Sequence, residues 1–178
     1  MKPFTKQELL AVGGILLFIA SLTLFNLNIS LRRARDAQRR ADLGDIANAL
    51  DKYRDDFGFY PPTKDGKIAV CRGENFEAGW EDIKDDEKFD REKFFAILAP
   101  CKWGEDALRD MTDESYEPYL KMIPRDPKTE KGMSYLYLSN SNRYQLYTYL
   151  EGAGEEIGYD AGIIKRNLSC GSGFICSD

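Results

Sequence analysis

The hydrophobic pattern of the chain begins with one long run. Residues 9–27 read LLAVGGILLFIASLTLFNL and contain no charged side chain. As an α-helix, this run spans about 28 Å, close to the hydrocarbon thickness of a bilayer. It is longer than the apolar part of a signal peptide, and no small-x-small cleavage sequence lies between it and the arginines that follow. We therefore expect a membrane helix rather than a cleaved signal peptide.

Beyond residue 31 the pattern becomes amphipathic. Apolar residues recur at intervals of three and four: Leu43, Ile46, Ala47, Leu50, Tyr53 and Phe57. A narrower stripe of small residues continues this face towards the membrane run: Ala34, Ala37 and Ala41. This spacing predicts an amphipathic helix that ends near Gly58. The simplest interpretation is one helix from Thr5 to about Phe57, about 75 Å long, which a small head cannot cover along its whole length.

The region from residue 58 to residue 122 is irregular and rich in Asp, Glu and Lys. Apolar clusters predict two short helices in it, over residues 91–98 and 105–111. The acidic residues 85–87 are interpreted as a solvated surface run.

Segments typical of a small antiparallel sheet follow. The sequence IPRDP at residues 123–127 predicts a turn. Residues 133–138 and 143–150 are Tyr-rich and alternate with period two, and the polar link SNSN between them is typical of a hairpin. We expect a further strand near residues 163–168 and a tail, residues 170–178, closed by cysteines.

Together these elements predict an α+β fold, in which a long N-terminal α-helix packs on a small antiparallel β-sheet. The tyrosines of the two strands form a stripe: Tyr135, Tyr137, Tyr144, Tyr147 and Tyr149. We interpret this stripe as the sheet face that packs on the long helix, with a sugar-binding platform as the alternative.

Composition narrows the classes of function. The 178 residues carry a formal net charge of -5, and the mean hydropathy is -0.49 despite the apolar run. Such an acidic chain is not expected to bind nucleic acid, which requires a basic surface. The chain has no His, which removes the usual general base and the commonest zinc ligand. No nucleophile is paired with a base in the sequence, so we expect neither an enzyme nor a bound metal.

The N-terminal sequence MKPFTKQELLAVGGILLFIASLTLF resembles that of type IV pilins and of the pseudopilins of type II secretion systems. In that family a short basic leader precedes Phe, Thr and, four residues after the Phe, a Glu that opens the apolar run. Here these residues are Phe4, Thr5 and Glu8. Residues 33–62 resemble the segment after the family's membrane helix, and residues 123–151 resemble the C-terminal half of the major pseudopilin type.

The resemblance implies a pilin-like division of the chain. Residues 1–3 are a short basic leader, 4–30 the transmembrane and filament-core helix, 31–57 its amphipathic continuation, 58–122 the αβ-loop region, and 123–178 the antiparallel sheet with its Cys-closed tail. It implies a structural subunit of an extracellular type IV pilus or pilus-like filament. The implied partners are copies of itself or other pilins, the membrane, a prepilin peptidase and the pilus assembly machinery. The implied location is the cytoplasmic membrane, single-pass, and then a cell-surface filament.

The resemblance assigns processing and assembly to two residues. Phe4 corresponds to the first residue of the processed, methylated subunit. Glu8 corresponds to the carboxylate that pairs with the N-terminal amino group of a neighbouring subunit. A carboxylate is costly at the bilayer centre, whereas a cation or the helix macrodipole stabilises it. The alternative is that Glu8 lies in the headgroup region without an assembly role.

The residue before Phe4 departs from the family pattern. Prepilin leaders usually end in Gly, whereas this chain has Pro3, which fixes φ and lacks a backbone donor. An unprocessed chain lacks the amine that Glu8 is expected to meet. The alternative function is therefore a membrane-tethered pilin-like adhesin or receptor domain that does not polymerise.

Basic residues favour one topology. They are few before the apolar run and numerous after it: Arg32, Arg33, Arg35, Arg39 and Arg40. This asymmetry favours a cytoplasmic head. Acidic partners on the same helix counteract it, and Asp36, Asp42 and Asp45 are expected to supply them.

Cysteines favour the opposite topology. All four lie in the expected head, without the spacing of a metal site. We expect two disulfides, Cys71–Cys101 and Cys170–Cys176, with four reduced thiols as the alternative. Disulfides form in oxidising compartments, so this expectation places the head outside the cytoplasm.

Acidic residues near the hairpin are candidate calcium ligands: Glu151, Glu155, Glu156 and Asp160. Calcium takes six to eight oxygen ligands. Major pseudopilins have a calcium loop in this part of the chain, but the residues here do not match it position by position. We therefore expect a solvated loop and no cofactor, with calcium binding as the alternative.

Overall fold

The architecture is α+β, as the sequence predicts. The computed structural model describes residues 5–85, 90–113, 115–151 and 174–176. In chain order its helices and strands are α1 (Lys6–Phe57), β1 (Thr63–Lys64), β2 (Lys67–Ile68), β3 (Cys71–Arg72), α2 (Phe76–Ile83), α3 (Arg91–Ile97), β4 (Leu98–Ala99), β5 (Leu136–Ser139), β6 (Tyr144–Tyr147) and β7 (Phe174–Cys176). A 3₁₀ turn covers Thr129–Lys131.

Helix α1 has a defined cap at each end. The Oγ1 atom of Thr5 accepts a hydrogen bond from the backbone N–H of Glu8 (3.4 Å), and the N–H of Thr5 donates to the Glu8 carboxylate (2.8 Å). At the other end Gly58 has a φ of 78°, which glycine adopts at little cost, and its N–H donates to the carbonyl of Arg54. The predicted helix from Thr5 to about Phe57 is confirmed, and it is continuous for 52 residues.

The described strands pair in three small antiparallel sheets, β1-β2, β3-β4 and β5-β6-β7. In the hairpin β5-β6, Ser139 pairs with Tyr144. The side-chain oxygen of Asn140 accepts a hydrogen bond from the N–H of Arg143 (2.8 Å), which closes the polar link. The predicted hairpin is thus confirmed.

The turn between β1 and β2 attaches that hairpin to the larger sheet. Asp65 and Gly66 both have positive φ, 53° and 72°, as a two-residue hairpin turn requires. The carbonyl of Gly66 accepts a hydrogen bond from the N–H of Tyr137 (2.8 Å). A Cβ atom at Gly66 would lie 2.5 Å from Cδ1 of Leu136, so a larger residue would also have to displace that side chain.

One face of α1 and the tyrosine stripe both contribute to the core. The buried apolar residues of α1 are Leu43, Ile46, Ala47, Ala49, Leu50 and Tyr53. Four tyrosines of the stripe are buried in the head: Tyr135, Tyr137, Tyr144 and Tyr147. Tyr149 lies beyond the end of β6 and is 52% exposed, so the sheet-face prediction is wrong for this residue.

The predicted helix over residues 105–111 is wrong. Its central residue, Leu108, exchanges backbone hydrogen bonds with Leu120 in a β-bridge, which satisfies the groups that a helix would have used. Gly104, with a φ of 79°, turns the chain just before it.

Helix α2, strand β7 and the four short strands β1 to β4 were not predicted. Helix α2 has an apolar i, i+4, i+7 spacing at Phe76, Trp80 and Ile83, but it is short, and Asn75 makes no side-chain cap at its start. Strand β7 lies in the segment that the sequence suggested was a tail. Its backbone pairs with β6, while the strand expected at residues 163–168 lies outside the described residues.

Candidate functional site

The first half of α1 is an exposed apolar rod. Its large side chains are exposed by 46–77%: Leu9, Leu10, Val12, Ile15, Leu16, Leu17, Phe18, Ile19, Leu22, Leu24, Leu27 and Leu31. This helix is long and apolar enough to cross a membrane. A soluble protein rarely exposes a contiguous apolar surface of this extent unless it is an interaction site. The rod is therefore the principal candidate site.

Two hydroxyl side chains inside the rod are satisfied by the helix itself. The hydroxyl of Ser21 donates a hydrogen bond to the carbonyl of Phe18, and that of Thr23 donates one to the carbonyl of Ile19. Each bond is 2.8 Å long. A hydrocarbon environment requires such internal pairing because it offers no water. These two interruptions are thus compatible with burial in lipid or among apolar helices.

Glu8 lies at the N-terminal edge of the rod. Its carboxylate is exposed and accepts the hydrogen bond from the N–H of Thr5, which completes a capping box. An assembly role for this carboxylate is expected from the sequence and stays a prediction. The structure adds the capping contact. Phe4 lies outside the described residues.

An ionic cluster joins α1 to the head just above the rod. We define it as Arg35, Asp36, Arg39, Asp126, Lys128 and Glu151. Arg39 is completely buried, and two of its nitrogens donate to the carboxylate of Asp126 (2.7 and 3.1 Å). The same guanidinium donates hydrogen bonds to Asp36 and to Glu151, each with a length of 2.9 Å. A buried guanidinium needs this degree of pairing because an unpaired one is strongly destabilising.

Glu151 is the second centre of the ionic cluster. Its carboxylate accepts two hydrogen bonds from Arg35 (2.9 and 2.7 Å) and another from Lys128, and its backbone N–H donates to Asp36 (2.9 Å). The hydrogen bonds from Arg35 in particular lower the pKa of Glu151 well below its usual range. Burial alone would lower the pKa of Arg39, but the hydrogen bonds that it donates to Asp126 and Glu151 outweigh burial and raise that pKa. Arg39 and Glu151 therefore stay charged at neutral pH.

Asp126 is positioned by the turn that the sequence IPRDP predicts. Its carboxylate accepts the backbone N–H of Lys128 (2.7 Å), and its carbonyl accepts the N–H of Thr129 (3.0 Å). These local bonds hold the carboxylate in place independently of its contact with the guanidinium of Arg39. The ionic cluster thus ties α1, this turn and the end of the hairpin region together.

The arginine partners were predicted only in part. Asp36 does pair with Arg39, but Asp42 instead accepts a hydrogen bond from the hydroxyl of Tyr135, and burial raises the pKa of Asp42. Asp45 is exposed and forms no ion pair within the described part of the chain.

Asp126 and Glu151 were missed as partners of the arginines. One signal was available, since Arg39 lies on the same helix face as Leu43 and Leu50 and so required buried carboxylates. Sequence spacing does not show which distant carboxylates reach it.

The small-residue stripe does not continue the buried face. Ala34, Ala37 and Ala41 are exposed, whereas Asp36 and Arg39 occupy the buried side at this height. The reason is the helical step of about 100° per residue, which places an alanine two positions from a buried residue on the opposite side. Next to the rod, the buried face of α1 therefore carries charged side chains and not small ones.

A disulfide joins β3 to the segment after β4. Cys71 and Cys101 are bonded, with their Cα atoms 5.1 Å apart. A cleft of about 370 Å³ opens beside Cys71, between Arg72 and Arg109. Asp106 lies near both sulfurs, but sulfurs bonded to each other are not thiolate ligands for a metal. The expected Cys170–Cys176 pair lies outside the residues whose side chains are described.

One of the four candidate calcium ligands is described. The carboxylate of Glu151 is surrounded by Arg35, Arg39 and Lys128 in the ionic cluster. Glu155, Glu156 and Asp160 lie outside the described residues. Glu151 thus serves as an anion for three cations of its own chain.

No protein-family model matches this chain, and neither a curated protein nor a solved structure matches it. The features that bear on function are therefore the rod, the Glu8 cap, the ionic cluster and the N-terminal motif.

Proposed function

We propose that this chain is a structural subunit of a type IV pilus or a pilus-like filament. The observation that carries the proposal is the length of α1 relative to its head: the helix continues for 52 residues, and its first half is exposed. Before assembly that half anchors the chain in the cytoplasmic membrane. In the filament it packs among the same halves of other subunits.

Burial in the filament replaces burial in lipid. Removing a Leu, Ile or Phe side chain from water is favourable by about 1.5–3 kcal/mol, and the rod carries many such side chains. Apolar helices that pack in parallel retain this gain when they leave the membrane. Contacts between different faces of the rods are heterologous, and heterologous contacts that do not close generate a helical fibre.

Glu8 supplies the register of the filament in this proposal. Its carboxylate opens the apolar run and becomes buried when rods pack side by side. A buried carboxylate needs a cation, and the N-terminal amine of a processed neighbour, at Phe4, provides one. The match of Phe4, Thr5 and Glu8 to the pilin motif supports this pairing.

The proposal places the head outside the cytoplasm. The disulfide between Cys71 and Cys101 supports an oxidising compartment. Two of the five arginines that favoured the opposite topology, Arg35 and Arg39, are neutralised by carboxylates in the folded protein. The basic signal after the rod is therefore weaker than the sequence count suggests.

A second function is favoured by one residue of the leader. Pro3 stands where prepilin leaders carry Gly, and a protease that binds an extended backbone accepts proline poorly there. An unprocessed chain with this architecture is a membrane-tethered adhesin or receptor domain, in which the rod serves only as an anchor.

N-terminal sequencing of the chain from sheared surface filaments and from membranes distinguishes the two functions. The filament proposal predicts a mature chain that begins at Phe4 and filaments that bind an antibody to this head in electron microscopy. An intact Met1 in every fraction, with no labelled filaments, contradicts it and supports the tethered domain.

A further inference from the structure

At the start of the ionic cluster, two arginines have no partner among the residues that the structure describes. Arg35 and Arg39 are paired with carboxylates, and Arg40 makes a contact of its own. Among the residues that the structure describes, Arg32 and Arg33 form neither an ion pair nor a hydrogen bond, and Nε of Arg32 is a buried donor without an acceptor. The described part of the chain therefore leaves two positive charges uncompensated at this level of α1.

Their height along α1 coincides with the end of the rod. The segment from Leu9 to Leu31 is 23 residues, about 34 Å of helix, slightly more than the hydrocarbon thickness of about 30 Å. When Leu9 lies at one edge of the hydrocarbon, Arg32 and Arg33 lie in the headgroup layer at the other edge.

From the charge and the position together, we propose that Arg32 and Arg33 bind the phosphates of anionic phospholipids in the outer leaflet of the membrane. A guanidinium matches a phosphate group with two parallel hydrogen bonds. This inference depends on the membrane insertion in the proposed function. It adds a lipid class and a binding position to it.

The local charge favours binding of an anionic lipid headgroup, in addition to hydrophobic anchoring by the rod. The chain carries a net charge of -5, and a uniformly acidic protein is repelled by an anionic bilayer surface. The carboxylates closest in sequence do not neutralise the two arginines, because Asp36 is buried against Arg39. The site is thus a small basic patch on an acidic molecule, placed at the membrane boundary.

The test uses the full-length chain in neutral detergent micelles, titrated with phosphatidylglycerol or phosphatidylcholine of identical acyl chains and followed by native mass spectrometry. Each arginine near an anionic surface contributes about fivefold in affinity. We expect phosphatidylglycerol to bind at least about tenfold more tightly than phosphatidylcholine. The double variant R32Q/R33Q should lose this preference.

A matched control removes two positive charges from the head. Lys121 and Arg143 are exposed, and K121Q/R143Q changes the net charge by the same amount. This control is expected to keep the lipid preference, because neither residue lies near the rod. Loss of the preference in both variants contradicts the assignment to Arg32 and Arg33.

The remaining outcomes separate other occupants. Inorganic phosphate in excess should not displace the lipid; displacement assigns the site to a free anion and overturns the inference. If R32Q/R33Q assembles poorly but binds lipid as the wild type does, the arginines meet a carboxylate of a second copy, which also overturns it. Resistance to extraction from phosphatidylcholine vesicles by alkaline carbonate is measured first. A chain that is extracted contradicts the proposed function, whereas an inserted chain without lipid preference contradicts only this inference.

Discussion

Glu8 has a capping contact and a charge, and the two are separable by substitution. Gln at this position keeps an oxygen that accepts the N–H of Thr5, whereas it removes the charge. We expect E8Q to insert in the membrane normally but to lose filaments, because in the proposed filament the register depends on the carboxylate meeting an amine. The measurement is the amount of sheared filament at equal membrane content of the chain.

Two controls accompany the Glu8 experiment. T5A removes the hydroxyl of the cap and keeps the charge, and it should retain filaments with a slightly less stable helix end, by about 1 kcal/mol. E117Q removes a charge from an exposed head residue and should change nothing. Filaments at the wild-type level in E8Q rule out the charge-pairing role.

Arg39 links α1 to the head through Asp126 and Glu151. R39M leaves the carboxylates of Asp36, Asp126 and Glu151 close together without their shared cation. We expect the free energy of unfolding of the head to fall by about 3–5 kcal/mol. Chemical denaturation in neutral detergent, followed through the fluorescence of Trp80 and Trp103, measures it.

The matched control for Arg39 is Arg33, an exposed arginine on the same helix. R33M removes the same charge from the same helix outside the ionic cluster and should change the free energy of unfolding by less than about 0.5 kcal/mol. Equal effects of R39M and R33M would show that the cluster does not hold the head.

The ionic cluster also predicts a pH dependence. The pKa of Glu151 is lowered in the folded state, mainly by Arg35, so its contribution is complete above the ordinary value of about 4.5 and is lost as the pH falls towards the folded value. Glu151 shares the ionic cluster with Asp36, Asp126 and Lys128. Burial raises the pKa of Asp42, so Asp42 favours folding as the pH falls and opposes the effect of Glu151.

E151Q isolates the contribution of Glu151. We expect it to lower the free energy of unfolding by about 2 kcal/mol at pH 7, with the difference from wild type shrinking as the pH falls below about 4.5. Denaturation midpoints across this range measure it. A constant difference between wild type and E151Q at all pH values contradicts the assignment.

At the scale of elements, the disulfide holds two parts of the αβ-loop region together. Cys71 and Cys101 are separated by 30 residues, and closing a loop of that length stabilises the folded state by roughly 3.5 kcal/mol through the entropy of the unfolded chain. We expect C71S/C101S to unfold at correspondingly lower denaturant concentration. A non-reducing peptide map that shows two free thiols in the wild type contradicts the bond.

Elements whose pattern is local were predictable from the sequence. The periodicity of α1, with Thr5 before it and Gly58 after it, defines the helix without tertiary information. The alternation on both sides of SNSN likewise defines the hairpin β5-β6. In each case the signals for the start, the interior and the end agree.

Elements and contacts that depend on distant residues were not predictable. Leu108 is in a β-bridge because Leu120 is beside it, not because of its neighbours in sequence. Ala34 lies outside the core because the head offers carboxylates to Arg39 on the other side of the helix. For the candidate site, the rod and Glu8 followed from the sequence, whereas Asp126 and Glu151 required the fold.

At the scale of the whole molecule, the chain divides into a covered and an exposed half of one helix. The head encloses α1 from about Asp36 onwards, and the ionic cluster marks the boundary. Below the boundary the apolar side chains from Leu9 to Leu31 need another partner. In the proposed function, the membrane provides that partner before assembly and the filament core provides it afterwards.

The behaviour of the purified full-length chain without detergent tests this division most directly. Size-exclusion chromatography with light scattering should show a monomer in detergent and, after detergent removal, aggregates or filaments that sediment. A monodisperse, soluble monomer in plain buffer would mean that the rod needs no partner, and it would contradict the account.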